Sequence, residues 1–211
     1  MNSKRSTIRR AAAVAAGGAA ALVLAACGAG TDDDSPGHDG RHTPKTPSAS
    51  APAAHGQHNA ADVTFAKGMI PHHRQAVAMA DLATPRAESA EVKKLAEEIK
   101  KAQAPEIKTL SGWLASWGEE VPAEGTMDHS THGDAGGMTT AGEMEKLENS
   151  SGTAFDTAFM EMMIKHHEGA VQMARTEQRD GSHQPAKVMA DAIVTSQSAE
   201  IARMNKLLGK N

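Results

Sequence analysis

The sequence contains a single cysteine, Cys27, among 211 residues. No disulfide can close within the chain and no thiolate cluster can hold a metal, so any metal chemistry falls to histidine, methionine and carboxylates. An excess of basic residues is also missing: 22 Lys and Arg stand against 26 Asp and Glu, a formal charge of -4. Removal of residues 1–26 deletes Lys4, Arg5, Arg9 and Arg10 and no acid, which takes the charge from -4 to -8. Such an acidic surface argues against nucleic acid as a partner. No Glu-x-x-His occurs, because the residues three before His72, His73, His166 and His167 are Met69, Ile70, Met163 and Ile164. A ferritin-type di-metal oxidase needs that motif on two helices, so an enzyme of this kind stands only as an alternative reading. Nor does any Ser or Cys lie in a recognisable nucleophile motif.

The N-terminus says where the protein works. A basic head, "MNSKRSTIRR", leads into an Ala/Val/Leu-rich segment that ends at "LAAC", Leu24 to Cys27, the pattern of a secretory signal. The apolar part is too short to span a membrane. Small residues before a lone cysteine resemble the bacterial lipobox, which predicts cleavage before Cys27 and lipidation of that residue. Acyl chains on one residue would hold a soluble domain at the extracytoplasmic face of the cell membrane. Residues 27–60 are mostly Gly, Pro, Ser, Asp and Ala and read as a disordered tether. Its histidines, His38, His42, His55 and His58, are read as solvated linker residues.

What the sequence has in abundance is repetition. "MIPHHRQAVAMA", Met69 to Ala80, returns as "MIKHHEGAVQMA", Met163 to Ala174, without a gap at an offset of 94. Phe65 recurs as Phe159, and Ile99, Gln103, Glu106, Ile107 and Leu114 recur as Ile193, Gln197, Glu200, Ile201 and Leu208. Helical periodicity predicts four helices, near 62–83, 88–117, 154–179 and 186–208. Thr84-Pro85 and the stretch Asp180 to Pro185 mark the breaks, and Asp62 and Asp156 are the expected N-caps. The fold class this implies is all-α: a four-helix bundle made of two duplicated hairpins. Repeat one spans 62–118, a Met/His-rich loop 119–150, and repeat two 152–209, within a domain of 61–211.

On a helix, Phe65, Met69, His72, His73, Ala76 and Ala80 fall in one stripe about 100° wide. The histidines therefore face the bundle interior. In each second helix a glutamine and a glutamate, Gln103 and Glu106 or Gln197 and Glu200, lie on the apolar stripe, where a lone carboxylate is costly. A bound metal accounts for all of these groups together. His72, His73, His166, His167, Met69, Met79, Met163 and Met173 are its candidate ligands, and Glu106, Glu200, Gln103 and Gln197 are second partners or ligands. The competing account is a His–Glu–Gln network that binds no metal and only fixes helix register. Mixed imidazole and thioether donors favour copper, as Cu(I) or Cu(II). Met69 and Met79 are about 15 Å apart along one helix. If the first and third helices pack antiparallel, Met79 approaches Met163 and Met173 approaches Met69. Met160, Met189 and Met204 are assigned to packing, and Trp113 and Trp117 to the core or the bundle end. Met127, His129, His132, Met138 and Met144 sit in a Gly/Ser/Thr-rich stretch without a core to fill, and read as a copper-capture loop.

The paired "MIPHH…AVAMA" and "FDTAFMEMMIKHHEGAVQMA", with "GEMEKLENSSG" before the second, resemble the secreted bacterial domain-of-unknown-function family 305 over roughly Asp62 to Leu208. That resemblance implies a ferritin-like bundle associated with copper binding and tolerance. It supplies no established reaction. The expected partners are a metal ion, a membrane through the lipid anchor, and either a copper-accepting protein or a second copy of the chain. First and second copies differ at Pro71, where the second has Lys165; proline removes a helical hydrogen bond beside His72.

Overall fold

The structure is a computed structural model that describes residues 57–124 and 135–210. Cys27, His38, His42, His55, Met127, His129 and His132 lie outside them. Five α-helices follow one another: α1 Ala60–Arg86, α2 Ala90–Trp117, α3 Ala141–Glu148, α4 Gly152–Asp180 and α5 Gln184–Leu207, with a 3-10 turn at Ala135–Gly137. α1 pairs with α2 and α4 with α5, and the two hairpins meet along α1 and α4. The all-α bundle of two hairpins read from the repeat is the observed architecture. All four long helices share the core, with Leu95, Ile99, Leu110 and Leu114 from α2 and Ile193 and Met204 from α5 fully buried beside α1 and α4.

Three local expectations need correction. α1 runs through Pro85 to Arg86 rather than ending at Thr84, and it contains Pro71 as well. A proline costs one hydrogen bond, and the long apolar stripe of α1 outweighs that loss. Asp62 and Asp156 do not cap their own helices. The cap of α1 is Asn59, whose side chain accepts from the amides of Ala61 and Asp62, while Asp62 returns a bond to the Asn59 amide as a capping box. α4 starts after Ser151 without a side-chain cap. Each aspartate reaches across to the opposite hairpin instead. Asp62 accepts from the Ser182 amide and hydroxyl and the His183 amide, and Asp156 from the amides of Glu88 and Ser89. The donors are themselves 94 apart, so the duplication has produced two reciprocal clasps that tie each hairpin's break to the other's first helix.

The third correction concerns the segment between repeats. It holds helix α3, capped by Thr140 in a box with Glu143. Leu147 of α3 is fully buried in a cluster with Met79, Ala83, Phe155, Phe159 and Met163, and Met144 packs against the same cluster. Met144 is therefore half-buried against this cluster rather than exposed in a loop without a core. Met138 is half-buried on the strap that precedes α3.

Candidate metal centre

The repeat brings the four histidines to the crossing of α1 and α4. The His72 and His166 rings are tilted at 41° with centroids 3.7 Å apart, and His166 lies 6.3 Å from His167. All four imidazoles are buried. His73 shares a 2.7 Å hydrogen bond through Nε2 with Glu106 Oε2, and His167 a 2.6 Å bond with Glu200 Oε2. These carboxylates accept, so Nε2 is the donor in both rings. His72 Nε2 donates in the same way to the Gly136 carbonyl at 2.8 Å.

The other ring nitrogens are the decisive feature. Nδ1 of His72, His73 and His167 and both ring nitrogens of His166 are buried with no hydrogen-bond partner. Gln103 Nε2 and Oε1 and Gln197 Oε1 are buried and unpaired too. An unpaired buried polar atom costs about 1–3 kcal/mol, so a purely structural His–Glu–Gln network would leave a large debt at the bundle centre. One nitrogen oriented by a carboxylate or carbonyl with the other left free is the preparation seen in metal-binding histidines. Burial pushes the His72 pKa down to about 3, against the smaller opposing effect of the Gly136 carbonyl. Burial, then the neighbouring histidines, hold His166 well below its ordinary value. Both rings are neutral at physiological pH and able to donate a lone pair.

Glu106 and Glu200 are thus placed as orienting partners of the imidazoles. Among the described residues, no three His, Cys, Asp or Glu side chains already converge as a group able to hold a metal ion. The donors present are imidazole nitrogens in close pairs, with sulfur nearby. Met69 and Met173 belong to one apolar cluster of the crossing and Met79 and Met163 to the other, the pairing expected of an antiparallel α1 and α4. Met69, Met79 and Met163 are fully buried. The Met79 sulfur also accepts from the Thr139 hydroxyl at 3.6 Å.

Residues that sequence reasoning missed form a strap over this centre. Gly136 and Gly137 have φ of 79° and 75°, conformations that favour glycine. A Cβ at Gly169 would collide with the Gly136 carbonyl, and one at Gly137 with the Lys165 carbonyl, so the turn lies directly on the backbone of α4. Gln75 fixes the next residues, giving Nε2–H to the Thr139 carbonyl and accepting the Thr139 amide, both at 2.7 Å. The only sequence signal was Gly136-Gly137 beside Gly169. His58, expected in the tether, stacks on Trp117 at 4.5 Å, and His183 lies edge-on to both Trp113 and Trp117 at 5.2 Å.

The profile of the family described as domain of unknown function DUF305 matches residues 62–208. The chain belongs to the DUF305 family. It is similar to a DUF305 protein of Streptomyces coelicolor described as secreted, with 34% identity, 71% of this chain and 93% of that one covered, and a TM-score of 0.64. It is also similar to CopM in its Cu(I)-bound form, at 33% identity over 69% of this chain and 94% of that one, TM-score 0.58. For CopM in its Cu(II)-bound form the values are 35%, 69%, 94% and 0.61. No curated protein sequence shows a significant match. Among the described residues of this DUF305 chain, no helix is long and apolar enough to cross a membrane.

Proposed function

We propose that this chain is an extracytoplasmic copper-binding protein, anchored by lipid at Cys27, that buffers, stores or hands over copper. The observation that carries the reading is the set of five buried imidazole nitrogens without partners at the α1/α4 crossing. Gly136, Glu106 and Glu200 hold the opposite nitrogens of His72, His73 and His167, and neutral His166 has neither ring nitrogen held. Buried methionine sulfur on both sides of the crossing selects a soft ion, and imidazole accepts either oxidation state of copper. The copper-bound forms of CopM support the same choice of metal. His72, His73, His166 and His167 are the core ligands, Met69, Met79, Met163 and Met173 the sulfur donors available to them, and Glu106 and Glu200 the groups that orient two of the rings. Met127, His129 and His132 are a separate capture segment under this reading.

The test is an anaerobic Cu(I) competition titration of the mature chain beside a variant with the four core histidines changed to alanine, its folding checked by circular dichroism. Tight binding that vanishes in the folded variant supports copper inside the bundle. Equal binding by both proteins removes the core site and leaves copper to the Met/His segment.

A further inference from the structure

The offset of 94 makes the α1/α4 crossing nearly two-fold, so the two sides of the pair present equivalent grooves. One side, walled by Gln75, Met79, Ala83, Phe159 and Met162, is closed: Thr139 is clasped by Gln75, and Leu147 and Met144 of α3 pack onto its apolar residues. The other side, built from the equivalent positions, is open as a cavity of about 570 Å³ lined by Phe65, Gly68, Gly136, Gly169, Met173 and Glu177, among others. Two of the substitutions between the two sides remove side chain and the third adds a carboxyl group. Gly68 stands where the closed side has Met162, Gly169 where it has Gln75, and Glu177 where it has Ala83.

Glu177 is the residue that apolar packing does not explain. It is 1% exposed, and neither carboxyl oxygen meets an N–H or O–H donor from the described protein. Its one polar side-chain partner is the Asp62 carboxylate, itself supplied by its clasp donors, and the Lys187 ammonium acts on it from α5. A buried carboxyl against a buried carboxylate requires a shared proton or a cation. Met173 lies one helical turn away on the same wall, and a Cβ at Gly68 would come within 3.5 Å of its sulfur. The inner end of the cavity is the Gly136 backbone, whose carbonyl holds His72.

We propose that this open groove is a cation vestibule, in which a cuprous ion is first held between the Met173 sulfur and the Glu177 carboxylate and then passes to the His72–His166 pair by way of the Gly136–Gly137 turn. The proposal rests on the copper reading above and gives it a route. Sulfur and carboxylate together suit a soft cation in transit, since they hold it less completely than the imidazoles beyond. Each ion taken up by the acid releases one proton to water, with no change in oxidation state. Burial, then Asp62, push the Glu177 pKa up to about 8, so the acid is uncharged until a cation arrives and the groove does not hold an unpaired charge in the meantime. The diglycine turn touches both the cavity, through Gly136, and His72, and as glycines its two residues have no side chains to move aside.

The experiment delivers Cu(I) anaerobically from a chromophoric chelator to the mature chain, Gly68→Met and Glu177→Gln, and follows transfer by stopped flow. Gly68→Met installs the residue of the closed side without touching a histidine; Glu177→Gln keeps the shape and removes the group that can become a carboxylate ligand. Both are expected to load about tenfold more slowly, the low end of what loss of a group around a metal site costs, while Gly68→Met reaches the same final occupancy. Loading of both folded variants at the wild-type rate overturns the route while leaving the copper reading intact. A wild-type chain that takes up no Cu(I) overturns both. If Gly68→Met fails to fold, Glu177→Gln decides alone.

Discussion

The two repeats agree at their centres and differ at their ends. His73–Glu106 and His167–Glu200 are the same contact at 2.7 and 2.6 Å, and the two aspartate clasps have donors at matching positions. A turn or two away, one side carries α3 and a clasped strap and the other a cavity with a buried acid. Duplication therefore preserved the part of the helix pair where polar groups must find partners, and let the flanks diverge where only packing was at stake. The His72 and His166 rings show where that divergence begins: His72 donates to the Gly136 carbonyl, and its mate has no partner.

Mutations at matched positions test this contrast. Phe159, fully buried under α3, should cost about 3–5 kcal/mol on truncation to alanine. Phe65→Ala should cost about 1 kcal/mol less, because its cavity joins an open groove that water can enter. Urea midpoints of the two variants check this; equal losses would mean that α3 adds nothing to its side. Gly169→Ala should cost about 1–3 kcal/mol, since the new Cβ drives the Gly136 carbonyl off α4. Gln75, its mate, has no such constraint on its Cβ; Gln75→Ala removes the two bonds to Thr139, a loss of about 1–2 kcal/mol.

Glu106→Gln and Glu200→Gln weaken the orienting acceptor of one ring each. About 10-fold weaker copper binding is expected from either change, alike in size because the two sites are alike. A large inequality in competition titrations would place copper on one repeat only.

In pH dependence, His72 and Glu177 act in opposite senses. His72 has a folded pKa of about 3 against an ordinary 6.5, so the unfolded chain binds the extra proton, and stability is lost as pH falls from about 6.5 towards 3. Glu177 has a folded pKa of about 8 against an ordinary 4.5, so the folded chain binds the extra proton, and stability is lost as pH rises from about 4.5 towards 8. Glu177→Gln should remove the loss on the alkaline side and leave the His72 contribution between about 6.5 and 4 in place. Thermal midpoints from pH 4 to 9 provide the check.

The bundle and the inward histidines were legible because the signals repeat: periodicity fixes the faces of α1 and α4, and an offset of 94 places every polar member twice. The Glu106 and Glu200 contacts followed from the cost of a carboxylate on an apolar stripe. Asp62 and Asp156 were misread because a short acid at a helix start has a local use, and only the meeting of the hairpins reveals the distant donors. α3 was hidden by its eight-residue length, its flanking glycines and its dependence on Leu147 for anchorage. Glu177 left no trace in the repeat, since its mate is Ala83; its place beside Asp62 is a product of tertiary structure alone.

The central claim is that copper sits on the nitrogens that the protein leaves unpaired. Long-range ¹H–¹⁵N NMR of the histidine rings, recorded with and without Cu(I), tests it directly. The account predicts that Nδ1 of His73 and His167 starts unprotonated and shifts on loading, while Nε2 keeps its proton on Glu106 and Glu200. Unchanged resonances of all four core rings in a copper-loaded protein would contradict it.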